Sequence, residues 1–142
     1  SAPAWAPDGQ RLAFACTIVP GHSDICVIGV DGTGFARLTD DPAFDGHPAW
    51  RPDGQAIAFT TTRFDGRGRV AVMSPEGGAV TPLAAGSAPA WSRDGSLLVF
   101  APLDCPAGPG ACVQDGLAVI RADGTGFRRI STGAKYAPAW RP

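Results

Sequence analysis

The stretch FDGHPAWRPDGQAIAF, Phe44 to Phe59, decides the fold of this chain. Its second part returns as PAWAPDGQRLAF from Pro3 and as PAWSRDGSLLVF from Pro89, and it begins again as PAWRP at Pro138. The intervals between the repeated tryptophans are 45, 41 and 49 residues. A period of roughly 40 to 50 residues is typical of a solenoid or a propeller. The tryptophans concerned are Trp5, Trp50, Trp91 and Trp140.

Each unit of the repeat predicts four short strands joined by turns. The Pro-Ala-Trp segment predicts the first strand, and an Asp-Gly pair such as Asp53-Gly54 reverses the chain, because glycine supplies the positive φ of a tight hairpin. Segments such as AIAFTT and VAVMSP predict the second and third strands, which are apolar at nearly every position, as in strands covered on both faces. A further turn precedes the fourth strand. The 19 glycines, the 14 prolines and the lack of a helical apolar period agree with this interpretation.

Repeated units of four antiparallel strands, covered on both faces, predict an all-β fold built of β-propeller blades. In this interpretation the chain is a single propeller segment, 1–142. Large tryptophans suit the narrow part of the sheet near the axis, so Trp5, Trp50, Trp91 and Trp140 are predicted to be core anchors between blades. The predicted units are blade 1 at 3–47, blade 2 at 48–88, blade 3 at 89–137 and the start of a fourth unit at 138–142.

The repeat resembles that of a known family. Its pattern is Pro-Ala-Trp-Ser-Pro-Asp-Gly, an apolar strand ending in Phe, a strand ending in Asp-Gly, and then Arg-x-Leu-Thr, which is similar to the TolB-like propeller repeat. PAWAPDGQRLAF with DGTGFARLTD matches this pattern across the first unit, whereas the third unit has Arg93 in place of the proline. The resemblance implies the fold over essentially the full chain. It implies little about function, because the repeated residues build blades.

Three blades are too few for a flat ring, since propellers close with about four to eight. An isolated chain would expose an apolar face on blade 1 and another on blade 3. Two chains joined head to tail would complete a six-bladed ring, which is the count that the resemblance implies. Otherwise the chain belongs to a longer propeller. We expect self-association, with a homodimer as its simplest form.

The four cysteines form two local pairs, Cys16 with Cys26 and Cys105 with Cys112. Disulfides, free buried thiols and a metal site are all open at this point. The spacing favours disulfides, because metal sites usually show CxxC spacing or accompanying histidines, and only His22 is close. Disulfides indicate an oxidising compartment. With the family resemblance, they predict a periplasmic or extracellular bacterial protein.

The sequence predicts no catalytic residue, no metal ligand and no cofactor. Its two histidines, His22 and His47, are not accompanied by a Gly-x-Ser-x-Gly nucleophile motif, and Asp40-Asp41 is interpreted as a solvated turn between blades. A formal charge of −1 argues against a general nucleic-acid surface. No apolar run approaches the roughly 18 residues of a membrane span, so membrane insertion is not expected either.

Position in the propeller gives the one candidate site. Residues just ahead of an innermost strand lie near the mouth of the axial channel, and those with functional groups are Asp45, His47, Lys135 and Tyr136. We predict a ligand site there. The predicted function is a non-catalytic scaffold for interaction with an unidentified protein partner and with a second copy of the chain. The alternatives are an accessory domain that gates a serine peptidase encoded elsewhere, and a propeller that binds a carbohydrate or small ligand.

Overall fold

A computed structural model of the chain describes residues 1–107 and 110–131. Lys135, Tyr136, Trp140 and the predicted fourth unit lie outside the described residues. Within the described ranges there are twelve strands and no helix. The strands are β1 (Ala4–Trp5), β2 (Arg11–Cys16), β3 (Asp24–Gly29), β4 (Ala36–Arg37), β5 (Asp45–Trp50), β6 (Ile57–Thr61), β7 (Arg69–Met73), β8 (Thr81–Trp91), β9 (Leu97–Asp104), β10 (Val113–Gln114), β11 (Leu117–Arg121) and β12 (Arg128–Ser131).

The strands form blades of four antiparallel strands. Blade 1 is a separate sheet of β1, β2, β3 and β4 in chain order, and blade 2 contains β5, β6, β7 and the first part of β8. The second part of β8 continues into blade 3 with β9, β11 and β12, while β10 pairs with the end of β9. The predicted all-β architecture of propeller blades is confirmed. Completion of the ring stays a prediction.

The two connections between blades differ. Residues 38–44 form a loop from β4 to β5, which we call the crossing loop. No loop separates blade 2 from blade 3, because β8 pairs with β7 up to Ala85 and with β9 from Gly86 onward. Counted from the tryptophan of each blade, the third and fourth strands of blade 1 begin at the same positions as those of blade 2. The first interval between tryptophans is 45 residues and the second is 41, and the difference therefore arises at the crossing loop.

The direct connection within β8 depends on Gly86. Its φ is +155°, and a Cβ at this position would lie 2.5 Å from the carbonyl oxygen of Ala101 and 2.6 Å from the ring of Phe100. Any larger residue would therefore push strand β8 away from β9. The corresponding first residue of β5 is Asp45, whose side chain contacts Arg63.

The tryptophans of blades 2 and 3 are each buried between their own blade and the preceding one. Trp50 packs with Ile25 and Val27 of blade 1, and Trp91 packs with Ala58 and Val70 of blade 2. Each of these two tryptophans is 7% exposed. Their rings are covered by arginines of the preceding blade, at 4.9 Å from Arg11 for Trp50 and at 5.5 Å from Arg51 for Trp91. Trp5 differs from the prediction of a buried anchor, since it is 61% exposed. No blade precedes it within the described chain.

The first strand of blade 2 begins earlier than the sequence places it. β5 starts at Asp45, ahead of the predicted boundary at residue 48, because Asp45 and Gly46 already pair with β6 before a shift in register. His47 lies in the irregular part and has a φ of +52°, and Ala88 has a φ of +54° at the same place in β8. A β-bulge of this kind lets the strand bend without losing its partner.

Candidate functional site

The long connections gather at one end of the blades. Because successive strands are antiparallel, the β2–β3 loop (17–23), the β6–β7 loop (62–68) and the crossing loop share one end, which we call the crossing end. The Asp-Gly turns share the opposite end, which we call the turn end. Four large apolar side chains on the connections of blades 1 and 2 at the crossing end are exposed to solvent, and we call them the apolar set. They are Ile18 (49%), Val19 (39%), Phe44 (43%) and Phe64 (44%).

Backbone contacts hold Phe44 between the loops of two blades. Its N–H donates to Thr62 Oγ1 at 3.0 Å, and its carbonyl oxygen accepts from the N–H of Thr62 at 3.0 Å. On the other side, Phe44 forms a parallel bridge with Ser23, whose carbonyl oxygen accepts from the N–H of Asp45 at 2.7 Å. The Phe44 side chain is therefore presented between the loop that carries Ile18 and Val19 and the loop that carries Phe64.

A buried ion pair fixes the start of the crossing loop. Arg37 donates from Nε and Nη2 to Asp24 Oδ2 at 3.0 and 2.7 Å, and the Asp24 side chain is 0% exposed. Nη1 of the same guanidinium pairs with Asp40 Oδ1 at 2.8 Å. Charge-assisted hydrogen bonds of this length are among the stronger ones in proteins. Arg37 thus joins strand β3 to the crossing loop.

A second arginine fixes the end of the crossing loop. Arg63 donates from Nη2 to Asp45 Oδ2 at 2.6 Å, and its Nε lies 3.1 Å from Asp41 Oδ2. The Asp45 side chain is 0% exposed and that of Arg63 is 21% exposed. The guanidinium also lies 5.9 Å from the ring centre of Phe59. Arg63 thus joins the β6–β7 loop of blade 2 to both ends of the Asp41–Asp45 segment.

The two buried carboxylates are neighbours through the backbone. Ser23 precedes Asp24 and bonds twice to Asp45, through its carbonyl oxygen and through its hydroxyl, which donates to the Asp45 carbonyl at 2.8 Å. Among the described residues, the Oδ1 atoms of Asp24 and Asp45 have no hydrogen-bond partner. Each buried carboxylate therefore relies on its own arginine for compensation, which makes the crossing loop strongly dependent on both ion pairs.

The structure separates the predicted ligand-site residues. Asp45 is buried against Arg63, whereas His47 is exposed, with its ring centre 6.1 Å from that of Phe44. Partial burial of its ring lowers the pKa of His47 below its ordinary value. Lys135 and Tyr136 lie outside the described residues. Of the two predicted site residues that the structure describes, His47 is thus the one whose side chain a partner could reach.

Both cysteine pairs are disulfides in the structure, which is one of the states that the sequence left open. Cys16 and Cys26 have Cα atoms 5.9 Å apart, and those of Cys105 and Cys112 are 4.2 Å apart. The first bridge spans the base of the β2–β3 loop that carries Ile18 and Val19. The bridge therefore restricts the β2–β3 loop, which is the part of the crossing end that Arg37 and Arg63 do not hold.

Neither a metal-binding cluster nor a membrane-spanning helix is found among the described residues. No group of three or more His, Cys, Asp or Glu side chains in residues 1–107 and 110–131 could hold a metal ion. A search of the same ranges finds no helix with the length and apolar character of a membrane span.

Sequence reasoning missed the arginines that organise this end. The ion pairs Arg37–Asp24 and Arg63–Asp45 were not predicted. Asp24 opens a strand that is otherwise apolar, DICVIG, and it is buried with its apolar neighbours. A carboxylate at the start of a doubly covered strand is a signal that could have pointed to a buried cationic partner.

Comparison with protein-family models gives a match over most of the chain. The model described as the TolB β-propeller domain matches residues 1–105. No curated protein sequence matches the chain.

Solved structures share the fold at low sequence identity. A TolB homologue from Agrobacterium tumefaciens superposes with a TM-score of 0.74 and 22% identity, over 91% of this chain and 49% of that one. TolB from Acinetobacter baumannii gives 0.76 and 21%, over 94% of this chain and 33% of that one. Oligogalacturonate lyase from Vibrio parahaemolyticus gives 0.66 and 18%, over 93% and 37%. The chain thus spans half or less of the length of each structure.

Proposed function

The chain belongs to the TolB β-propeller domain family, and from that premise we propose that it is a non-catalytic scaffold that binds a protein partner through the crossing end. The observation that supports this most directly is the apolar set. Its four side chains, Ile18, Val19, Phe44 and Phe64, are 39–49% exposed and come from three connections that lie side by side. Grouped exposure of large apolar side chains is costly unless a partner covers them.

The rigidity of this end supports the same proposal. Arg37 and Arg63 hold the two ends of the crossing loop, and the Cys16–Cys26 bridge holds the neighbouring loop. A surface that is already ordered loses less conformational entropy when it binds. Aromatic side chains such as Phe44 are also enriched at the centres of protein interfaces. The crossing end therefore has the chemistry of a preformed protein-binding surface.

The two disulfides support an extracytoplasmic location for this scaffold, because such bridges form and persist in oxidising compartments. The partner would accordingly be another envelope or secreted protein. Its contact surface would place apolar side chains over Phe44 and Phe64, with polar groups at the rim near Asp40 and His47.

Site-specific photo-cross-linking tests the proposal. A photoreactive amino acid at Phe44 should cross-link a discrete protein from a bacterial envelope extract. The matched control is Phe127, which is 50% exposed at the turn end and should not do so. Excess unlabelled protein should compete, and a Phe44→Ser/Phe64→Ser double variant should not. Equal cross-linking at both positions would contradict the proposal.

An accessory role beside a serine peptidase is the second candidate. It is supported by the likeness in fold to a puromycin hydrolase and to an acylaminoacyl peptidase, of which the chain covers 21% and 25%. In that case the crossing end or the turn end would face a catalytic domain. Sequencing the gene beyond codon 142 distinguishes the candidates, because a peptidase domain in the same reading frame supports the accessory role.

A carbohydrate-binding role is the third candidate, and it rests on the likeness to oligogalacturonate lyase. A second oligogalacturonate lyase structure, of which the chain covers 36%, is a complex with manganese, whereas the described residues of this chain contain no cluster that could hold a metal. Screening against oligogalacturonates by thermal shift checks this candidate, and a shift that the His47→Ala variant loses would support it.

A further inference from the structure

The charges of the crossing loop indicate what kind of segment the crossing end binds. At the start of this loop one guanidinium group serves two carboxylates, since Arg37 contacts Asp24 at 2.7 Å and Asp40 at 2.8 Å. The Asp24 side chain is 0% exposed, whereas that of Asp40 is 79% exposed. A buried carboxylate depends on its cation far more than an exposed one does. Asp40 therefore faces solvent with a cation that it shares.

The other end of the crossing loop repeats this arrangement. Arg63 contacts the buried Asp45 at 2.6 Å and Asp41, which is 28% exposed, at 3.1 Å. The two ends together hold four carboxylates and two guanidinium groups, which gives a formal charge of −2. The crossing loop is therefore acidic, although each of its buried ion pairs is complete.

The neighbouring β6–β7 loop has the opposite balance of charge. Asp65 pairs with Arg69 at the start of β7 at 2.7 Å, and Arg67 between them is exposed. Two guanidinium groups and one carboxylate give this segment a formal charge of +1. The excess of negative charge thus belongs to the crossing loop, on the blade 1 side of the crossing end.

Phe44 lies directly after these carboxylates and stays exposed. Asp41 Oδ1 accepts from the N–H of Ala43 at 2.9 Å, which closes the turn that leads into Phe44. The Phe44 ring lies against the backbone of Gly46, where a Cβ would come within 2.6 Å of it. Blade 2 is flanked by blades 1 and 3, so Phe44 and Phe64 are 43% and 44% exposed with both neighbouring blades in place.

We propose that the partner segment that covers Phe44 and Phe64 carries a lysine or an arginine, and that this cation pairs with Asp40. An apolar or acidic segment in the same place would remove water from Asp40 without supplying a new partner, which is unfavourable for a carboxylate. A cation removes this cost and also speeds encounter with an acidic surface. The inference rests on the proposed function, because it states the chemistry of the partner that the crossing end binds.

Selection of peptides supplies a defined probe. A phage library of short random peptides is first depleted on the Phe44→Ser/Phe64→Ser variant and is then selected on the wild-type protein. The most enriched peptide, made synthetically, should contain a lysine or an arginine beside apolar residues. Its dissociation constant, measured by isothermal titration calorimetry, should rise when salt is added, because salt screens exposed ion pairs.

Substitutions at Asp40 then test the ion pair itself. Asp40→Asn should weaken binding of this peptide about two- to fivefold, as expected for an exposed pair. Asp40→Lys should weaken it more than about tenfold, because like charges then meet. A peptide with glutamate in place of its basic residue should bind Asp40→Lys more tightly than wild type, a reversal that damage to the fold does not produce.

A matched control lies at the turn end. Asp53 is 48% exposed and contacts Arg51 at 3.4 Å, and Asp53→Lys should leave the dissociation constant of the peptide unchanged. Far-UV circular dichroism shows whether each variant is folded.

The outcomes separate this inference from the proposed function. A peptide that requires Phe44 but binds wild type and Asp40→Lys equally well would overturn the inference and leave the proposed function in place. Enriched peptides that lack a basic residue would do the same. Failure to recover any peptide that requires Phe44 would contradict the proposed function and the inference together.

Discussion

Replacing Arg63 by methionine tests how the crossing loop is held. The substitution removes the Nη2 contact of 2.6 Å to Asp45, a carboxylate that is 0% exposed, and the guanidinium 5.9 Å from the Phe59 ring centre, while methionine retains an unbranched apolar side chain. Removing one partner of a buried ion pair costs about 3–5 kcal/mol, because the other charge is left without compensation. Since a domain of ordinary stability has roughly 5–15 kcal/mol in total, the loss would be conspicuous.

A matched control lies beside Arg63, between Asp65 of the β6–β7 loop and Arg69 at the start of β7. Arg69 pairs with Asp65 at 2.7 Å, almost the same distance, but these two side chains are 35% and 37% exposed. Exposed pairs contribute about 0.2–1 kcal/mol, so Arg69→Met should have a small effect. Urea unfolding followed by tryptophan fluorescence gives both free energies, at one fixed protein concentration so that association does not differ between samples.

A third substitution, Asp45→Asn, completes this test, because its effect on the free energy of unfolding should change sign between two backgrounds. Asp45→Asn should destabilise the wild-type protein, because it breaks the same ion pair. In the Arg63→Met background it should instead stabilise, since it removes a buried charge that no longer has a partner. Equal losses for Arg63→Met and Arg69→Met, or an Asp45→Asn effect of the same sign in both backgrounds, would refute the reasoning that burial decides the strength of these pairs.

Three further predictions concern the blades. Gly86→Ala should destabilise the protein by about 2 kcal/mol or more, because the new Cβ would lie 2.5 Å from a carbonyl oxygen. Gly66→Ala should cost only about 1 kcal/mol, because its Cβ would meet nothing within 4 Å and only its φ of +73° is unfavourable. Thermal unfolding of both variants measures these losses, and equal losses would contradict the prediction. Hydrogen bonds from neighbouring serine hydroxyls and a backbone N–H lower the pKa of Asp94 to about 2. A lowered pKa stabilises the folded state above the unfolded value near 4, and this contribution is lost as the pH falls through about 2. The stability gap between wild type and Asp94→Asn should therefore close between pH 4 and pH 2, and a gap independent of pH would count against this assignment. Replacing Cys16 and Cys26 by serine should cost about 2–3 kcal/mol by loop closure over a separation of 10 residues, and reductant should lower the unfolding midpoint of wild type but hardly that of a variant that lacks both bridges.

Features with a local cause could be predicted from the sequence. The Asp-Gly pairs set the hairpins, the apolar runs set the covered strands, and the tryptophan repeat set the order of the blades, so the architecture followed from patterns within each unit. Features that depend on how units meet could not be predicted. Arg37 reaches Asp24 only through the register of β3 and β4, and Arg63 reaches Asp45 only because the crossing loop returns the chain to blade 2.

The candidate site shows the same division. The sequence placed Asp45 and His47 ahead of an innermost strand, whereas the structure has them in the irregular first part of β5. The pattern also contains nothing that distinguishes a buried carboxylate from an accessible one. Asp41 was interpreted as part of a solvated turn, but its side chain is 28% exposed and contacts Arg63. The burial of Asp45 depends on packing between two blades, which no single unit encodes.

The uninterrupted strand β8 has a consequence for how the molecule comes apart. Its first part belongs to the hydrogen-bond ladder of blade 2 and its second part to that of blade 3, so neither blade can open without moving the strand that the other shares. Blades 2 and 3 should consequently behave as a single foldon in native-state hydrogen exchange. Blade 1, whose ladder is separate, should exchange its amide hydrogens as a unit of its own.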